Sequence, residues 1–132
     1  MKILSKVSLI LFAVIALSCE SKEKEVEKLK TETIAIHDEV MPKMDDIMKL
    51  KKSLKIKQDS ANENEQGNIQ NLIIALEESD KAMMNWMRNY DPRMEDMSDA
   101  EKIEYLKNQK SSISEVSDKM KQSIAEAEEY LK

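Results

Sequence analysis

Residues 26–54 read VEKLKTETIAIHDEVMPKMDDIMKLKKSL, and their spacing decides the fold class. Val26, Leu29, Thr33, Ile36, Val40, Ile47, Leu50 and Leu54 recur at alternating steps of three and four. That is a heptad-like seam with Lys43 as its one polar interruption, and it predicts a helix from about Lys22 to about Gln58. His37, Met41, Met44 and Met48 form a second stripe about 100° round from the first. The joint apolar face spans about 160°, which is too wide for a two-stranded coiled coil and suits packing against two partners. Pro42 has no N–H and crowds the carbonyl of Asp38, so the helix should kink there.

Outward from this stretch, QDSANENEQGN at 58–68 holds no large apolar residue and reads as a loop with Gly67 near its end. A second helix is expected over about Asn68–Tyr90. Its stripe comprises Ile69, Ile73, Leu76, Met83, Met87 and Tyr90, widened by Leu72, Met84 and Trp86, with Asp80 on the same line. Asp91-Pro92 ends it, because the residue before proline avoids the α region. Ser98 and Glu101 form a capping box that opens a third helix. Its apolar positions are Ile103, Leu106, Ile113, Val116, Met120, Ile124, Ala127 and Leu131. Short connections make consecutive helices antiparallel neighbours. The expectation is an all-α chain, an antiparallel three-helix bundle or helical hairpin with a long first helix over 26–132. At 1.5 Å per residue the first helix is about 55 Å long and the second about 35 Å. The near end of the first should therefore project as a stalk.

Composition agrees. The 132 residues include one Gly and two Pro, and 36% are charged. A single glycine argues against tight β-turn folds, dinucleotide-binding loops and P-loops. With 26 acidic residues against 21 basic ones and few aromatics, the chain is expected to repel nucleic acid. One His and one Cys exclude a Cys/His zinc cluster. Glu77-Glu78, Glu128-Glu129 and Asp45-Asp46 read as solvated charge. Glu-x-x-His spacing is absent and no strained nucleophile turn is available, so no enzyme activity is expected.

The N-terminus reads as an address. Lys2 and Lys6 precede an apolar run from Val7 to Leu17, and the text turns charged at Glu20. The run is too short to span a bilayer, which takes about 20 residues. Ala16-Leu17-Ser18-Cys19 resembles a bacterial lipoprotein lipobox, with Ala16 where Leu is usual. The resemblance implies a signal peptide at 1–18 and acylation of Cys19. It also implies a lipid anchor with a charged tether over 19–25, and a mature chain Cys19–Lys132 in the cell envelope, the outer membrane favoured. Removing Lys2 and Lys6 takes the net charge from −5 to −7. The alternative is an ordinary secretory signal that leaves Cys19 free or paired between chains. The run Glu20–Glu25 also looks like the surface-export signals of Bacteroidota lipoproteins.

Methionine is abundant, with ten in the chain. Placing the first turn near residue 62 or 63 sets Met41 level with Met84, Met44 with Lys81 and His37 with Arg88. His37, Met41, Met44, Met83, Met84 and Met87 would then meet within about a turn, beside Trp86. Thioether and imidazole ligands suit Cu(I) or Ag(I) outside the cytoplasm, and an indole face adds a cation–π contact. This set is similar to the ligands of periplasmic copper chaperones. The same residues at the same spacing also describe an ordinary core, since Met fills gaps between helices. The segments HDEVMPKM (37–44) and MMNWMRNY (83–90) resemble paired signatures of small uncharacterised Bacteroidota lipoproteins, some labelled viral A-type inclusion protein. That resemblance implies a helical envelope protein and no particular activity. Three functions follow: a non-enzymatic binding or structural module, a soft-metal binder, or a helical oligomerisation protein.

Overall fold

The computed structural model describes the backbone of residues 2–132 and the side chains of residues 21–132. The helices are α1 (Lys2–Val40), α2 (Met44–Gln58), α3 (Glu63–Asn89) and α4 (Asp99–Leu131), with a single 3₁₀ turn (Met41–Lys43) between the first two. There is no strand among the described residues. The chain is all-α, with its helical segments packed against one another. No helix among the described residues is long and apolar enough to cross a membrane. Cys19 lies outside the residues whose side chains are described.

The expected interruption falls at Pro42, which sits at the start of the 3₁₀ turn. Proline leaves the Asp38 carbonyl without its helical donor, and the chain tightens for one turn before α2 resumes. The seam on either side points inward. Val40, Ile47 and Leu54 are fully buried, as is Thr33, whose hydroxyl donates to the Leu29 carbonyl at 2.7 Å.

The second helix starts earlier than its sequence pattern suggests. Asn62 is its N-cap: the side chain accepts from the Glu65 N–H at 3.1 Å, and the Glu65 carboxylate accepts from the Asn62 N–H at 3.1 Å. This reciprocal cap satisfies two terminal donors, so a polar stretch with no apolar stripe still becomes helix. The loop shrinks to Asp59–Asn62, and Gly67 lies inside α3 rather than at a turn. The inward place expected near Asp80 belongs to Ser79, which is 1% exposed. Ser79 and Ser123 bring their hydroxyls within 3.0 Å between α3 and α4. Each hydroxyl also lies within hydrogen-bond distance of a carbonyl three residues back.

α4 begins at its expected cap, where Ser98 and Glu101 exchange hydrogen bonds. Glu25 pairs with Lys107, Glu32 with Lys110 and Glu39 with Lys121, at 3.2, 2.9 and 2.6 Å. α4 extends eight residues before Lys107, so it accompanies α1 along the described side chains. The expected single-helix stalk is therefore not found there. Lys51 pairs with Glu77 at 3.0 Å, and the Gln58 amide donates to Gln70 at 3.2 Å, tying α2 to α3.

The core has two parts. The larger holds Val40, Ile47, Leu54, Ile69, Leu76, Met83, Ile113, Met120 and their neighbours. The smaller holds Leu29, Met94 and Leu106, flanked by Val26, Tyr90, Met97, Ile103 and Tyr105. Met94 comes from the connection between α3 and α4, where only a linker was expected. It is 3% exposed and has φ of 52°.

Candidate functional site

The 3₁₀ turn and the C-terminal half of α3 gather most of the chemistry-bearing side chains. His37, in the last turn of α1, is partly buried and stacks on Trp86, with ring centroids 5.6 Å apart at 29°. The shared level is thus Trp86 rather than Arg88, two residues from the sequence estimate. Trp86 stacks in turn on Tyr90 at 4.8 Å, and Tyr90 on Tyr105 at 6.3 Å. Four rings from α1, α3, the end of α3 and α4 form one ladder. Trp86 and Tyr90 are one helical turn apart, so their pairing follows from i, i+4 spacing. Tyr105 was not foreseen, because it is brought in by the chain reversal at 90–98. Its hydroxyl accepts from the Asp91 N–H at 2.7 Å.

The ladder is dry. Trp86 is 6% exposed, and both Trp86 Nε1 and Tyr90 Oη are buried without a hydrogen-bond partner. Leaving each polar group unsatisfied costs about 1–3 kcal/mol, and aromatic burial must offset it. Burial pushes the Tyr90 hydroxyl above its ordinary range, helped by Tyr105 and the Asp91 carboxylate.

Of the candidate soft-metal ligands, Met83 is fully buried in the larger core, and Met41, Met44 and Met87 are partly buried against it. Met84 is 40% exposed and turned to solvent. His37 Nδ1 lies 2.9 Å from Asp38 Oδ1. In the neutral ring, an Nδ1–H donated to that carboxylate leaves the lone pair on Nε2, the arrangement by which carboxylates orient metal-binding imidazoles. Among the described residues no three His, Cys, Asp or Glu side chains cluster to hold a metal ion. Any metal here would rest on thioethers and one imidazole.

Away from the ladder, a groove of about 670 Å³ opens between α3 and α4 near the end of the chain. Leu72, Ala125 and Tyr130 supply its apolar surface, and Glu126 and Glu129 stand at its edge. Lys57 of α2 reaches Tyr130, 4.8 Å from the ring centroid and 3.4 Å from the carbonyl oxygen. Periodicity does not announce this groove, whose lining comes from two helices far apart in sequence. Comparison with known proteins returns no matching family model, no matching curated protein and no matching solved structure.

Proposed function

We propose that this chain is a lipid-anchored, non-enzymatic module of the bacterial cell envelope, an up-down-up three-helix bundle that binds or organises other envelope components. Supporting the arrangement, the α1–α4 ion pairs 25/107, 32/110 and 39/121 rise together in number, as parallel helices require. The α2–α3 pairs 51/77 and 58/70 run oppositely, as antiparallel neighbours do.

The observation that supports the anchor is the exposure of the chain beside Cys19. Ser21–Glu25 are all exposed, and Leu29 is the first buried residue among the described side chains. Cys19, the only cysteine, thus stands just before five exposed polar residues. Two or more acyl chains on that residue would hold the bundle firmly at a membrane surface. Cell-envelope location and membership of a Bacteroidota-type lipoprotein group belong to the same proposal. Mass spectrometry of the N-terminal peptide from the native host tests it. The expected result is a chain starting at Cys19 with diacylglyceryl and amide-linked acyl groups. An unmodified residue 19, or a mature end elsewhere, removes the anchor.

One observation favours a second reading, Cu(I) or Ag(I) binding: the His37 ring is oriented by a carboxylate, and Met41, Met44 and Met87 are only partly buried at the edge of the larger core. A Cu(I) competition titration decides it. Binding no tighter than micromolar, or binding unchanged by His37→Ala with Met41→Leu, removes that reading. Met→Leu roughly conserves volume and should cost under about 1.5 kcal/mol, so the pair isolates ligand chemistry.

A further inference from the structure

Two surfaces on different helices complement each other in charge, and each also exposes apolar side chains. The first is an outer stripe of α2. Met48 and Ile56 are 62% and 64% exposed, the most exposed large hydrophobic side chains among the described residues. Lys52 and Lys55 stand between them on the same face, in a shallow depression where three lysines, Lys51 included, outnumber the one acid, Asp59. The second is the α3–α4 groove, apolar at Leu72, Ala125 and Tyr130 and acidic at Glu126 and Glu129.

Height selects the occupant. Within one molecule Lys57 touches Tyr130, and Gln58 touches Gln70. The C-terminal end of the α2 stripe, at Ile56, therefore stands near the level of the groove. Copies standing side by side in the same orientation bring one molecule's stripe to the next molecule's groove with an axial shift of about one helical turn. A basic, apolar helix face then meets an acidic, apolar groove, the helix-in-groove mode of recognition. We propose that the α2 stripe of one copy docks in the α3–α4 groove of a second copy. Because stripe and groove are different surfaces, the contact is heterologous, and a row of copies keeps a free stripe at one end and a free groove at the other. The inference rests on the bundle arrangement proposed above and is independent of acylation.

The test uses the full-length chain in detergent, mixed from ¹⁴N- and ¹⁵N-labelled protein and treated with a zero-length carbodiimide crosslinker. Lys52 and Lys55 should join Glu126 and Glu129 across differently labelled chains. Glu25–Lys107 and Lys51–Glu77 should join within one chain. Loss of those intrachain links would overturn the bundle arrangement; loss of the interchain links alone overturns only the docking. Sedimentation supplies the second arm. The assembly should grow with protein concentration and weaken as salt screens the charges. Ile56→Glu alone, or Glu126→Lys with Glu129→Lys, should each weaken self-association at least about tenfold with unchanged circular dichroism, since all three positions are exposed. Mixed together, these variants should form a one-to-one pair, because each retains one competent surface. A strict monomer at high concentration, association indifferent to both variants, or a groove that takes only an unrelated protein overturns the proposal.

Discussion

Gly67 and Met94 are the two positions where backbone conformation and residue type disagree, and they disagree in opposite senses. Gly67 lies inside α3 without a positive φ, and a Cβ added there would meet nothing within 4 Å. Glycine therefore contributes only its entropic cost. Gly67→Ala is expected to raise stability by about 0.5–1 kcal/mol, read from urea unfolding midpoints at constant slope. Met94 is the only non-glycine residue with positive φ among the described residues, and it is buried. The left-handed conformation costs about 1–2 kcal/mol, and burying a Met side chain returns about 1.5–3 kcal/mol. Burial wins, which explains why the strain persists. Both Met94→Ala and Met94→Gly should destabilise, but the usual order reverses: the Gly variant should be the more stable of the two. An Ala variant as stable as the Gly variant would mean that φ at residue 94 relaxes once the side chain is gone.

Among the elements, α1 is tied to α4 by three ion pairs among the described residues. Its ion pairs to α4 draw on Glu32 and Glu39, whose carboxyls sit below their usual range because Lys110 and Lys121 hydrogen-bond to them. A carboxyl with a depressed folded-state pKa contributes stability above its unfolded value, near 4.5, and loses it as pH falls through the folded value. Glu32→Gln with Glu39→Gln should therefore lose less Tm between neutral and acidic pH than the parent chain. Glu39 is exposed and Glu32 partly so, so added salt should shrink the difference. An unchanged acid limb would show that apolar contacts alone hold α1. These pairs were not readable beforehand, since Lys and Glu occur along every helix and pairing depends on register between distant segments. What was readable followed from local chemistry: the seam of Val40, Ile47 and Leu54, the break at Pro42, and the Ser98 cap. The early start of α3 was missed because Asn62 caps through Glu65 without an apolar stripe to announce it. The His37–Trp86 level came within two residues, since a turn position sets register only as well as the turn is placed. Tyr105 and Met94 join the core through a chain reversal that no periodicity encodes.

At the scale of the whole molecule, the division of the core makes its own prediction. The smaller cluster around Leu29, Met94 and Leu106 lies at the α4 N-terminal end, and Tyr90 borders both clusters. Among the described residues it has three buried side chains against thirteen in the larger cluster, so it should open first while the rest stays folded. Amide hydrogen exchange separates that case from a single cooperative unit. Met120 sits in the larger cluster, and truncation to Ala costs about 2–5 kcal/mol. If the smaller end opens separately, that cost is absent from its opening reaction, since Met120 remains packed in both states. Met120→Ala should then speed exchange at Val116–Ile124 and leave Val26–Thr33 and Ile103–Lys110 nearly unchanged. Leu106→Ala removes native contacts that both local and global opening must break, so it should speed exchange in both regions. Equal acceleration everywhere in Met120→Ala would mean that the bundle opens as one piece, with the ladder of Trp86, Tyr90 and Tyr105 coupling its two ends.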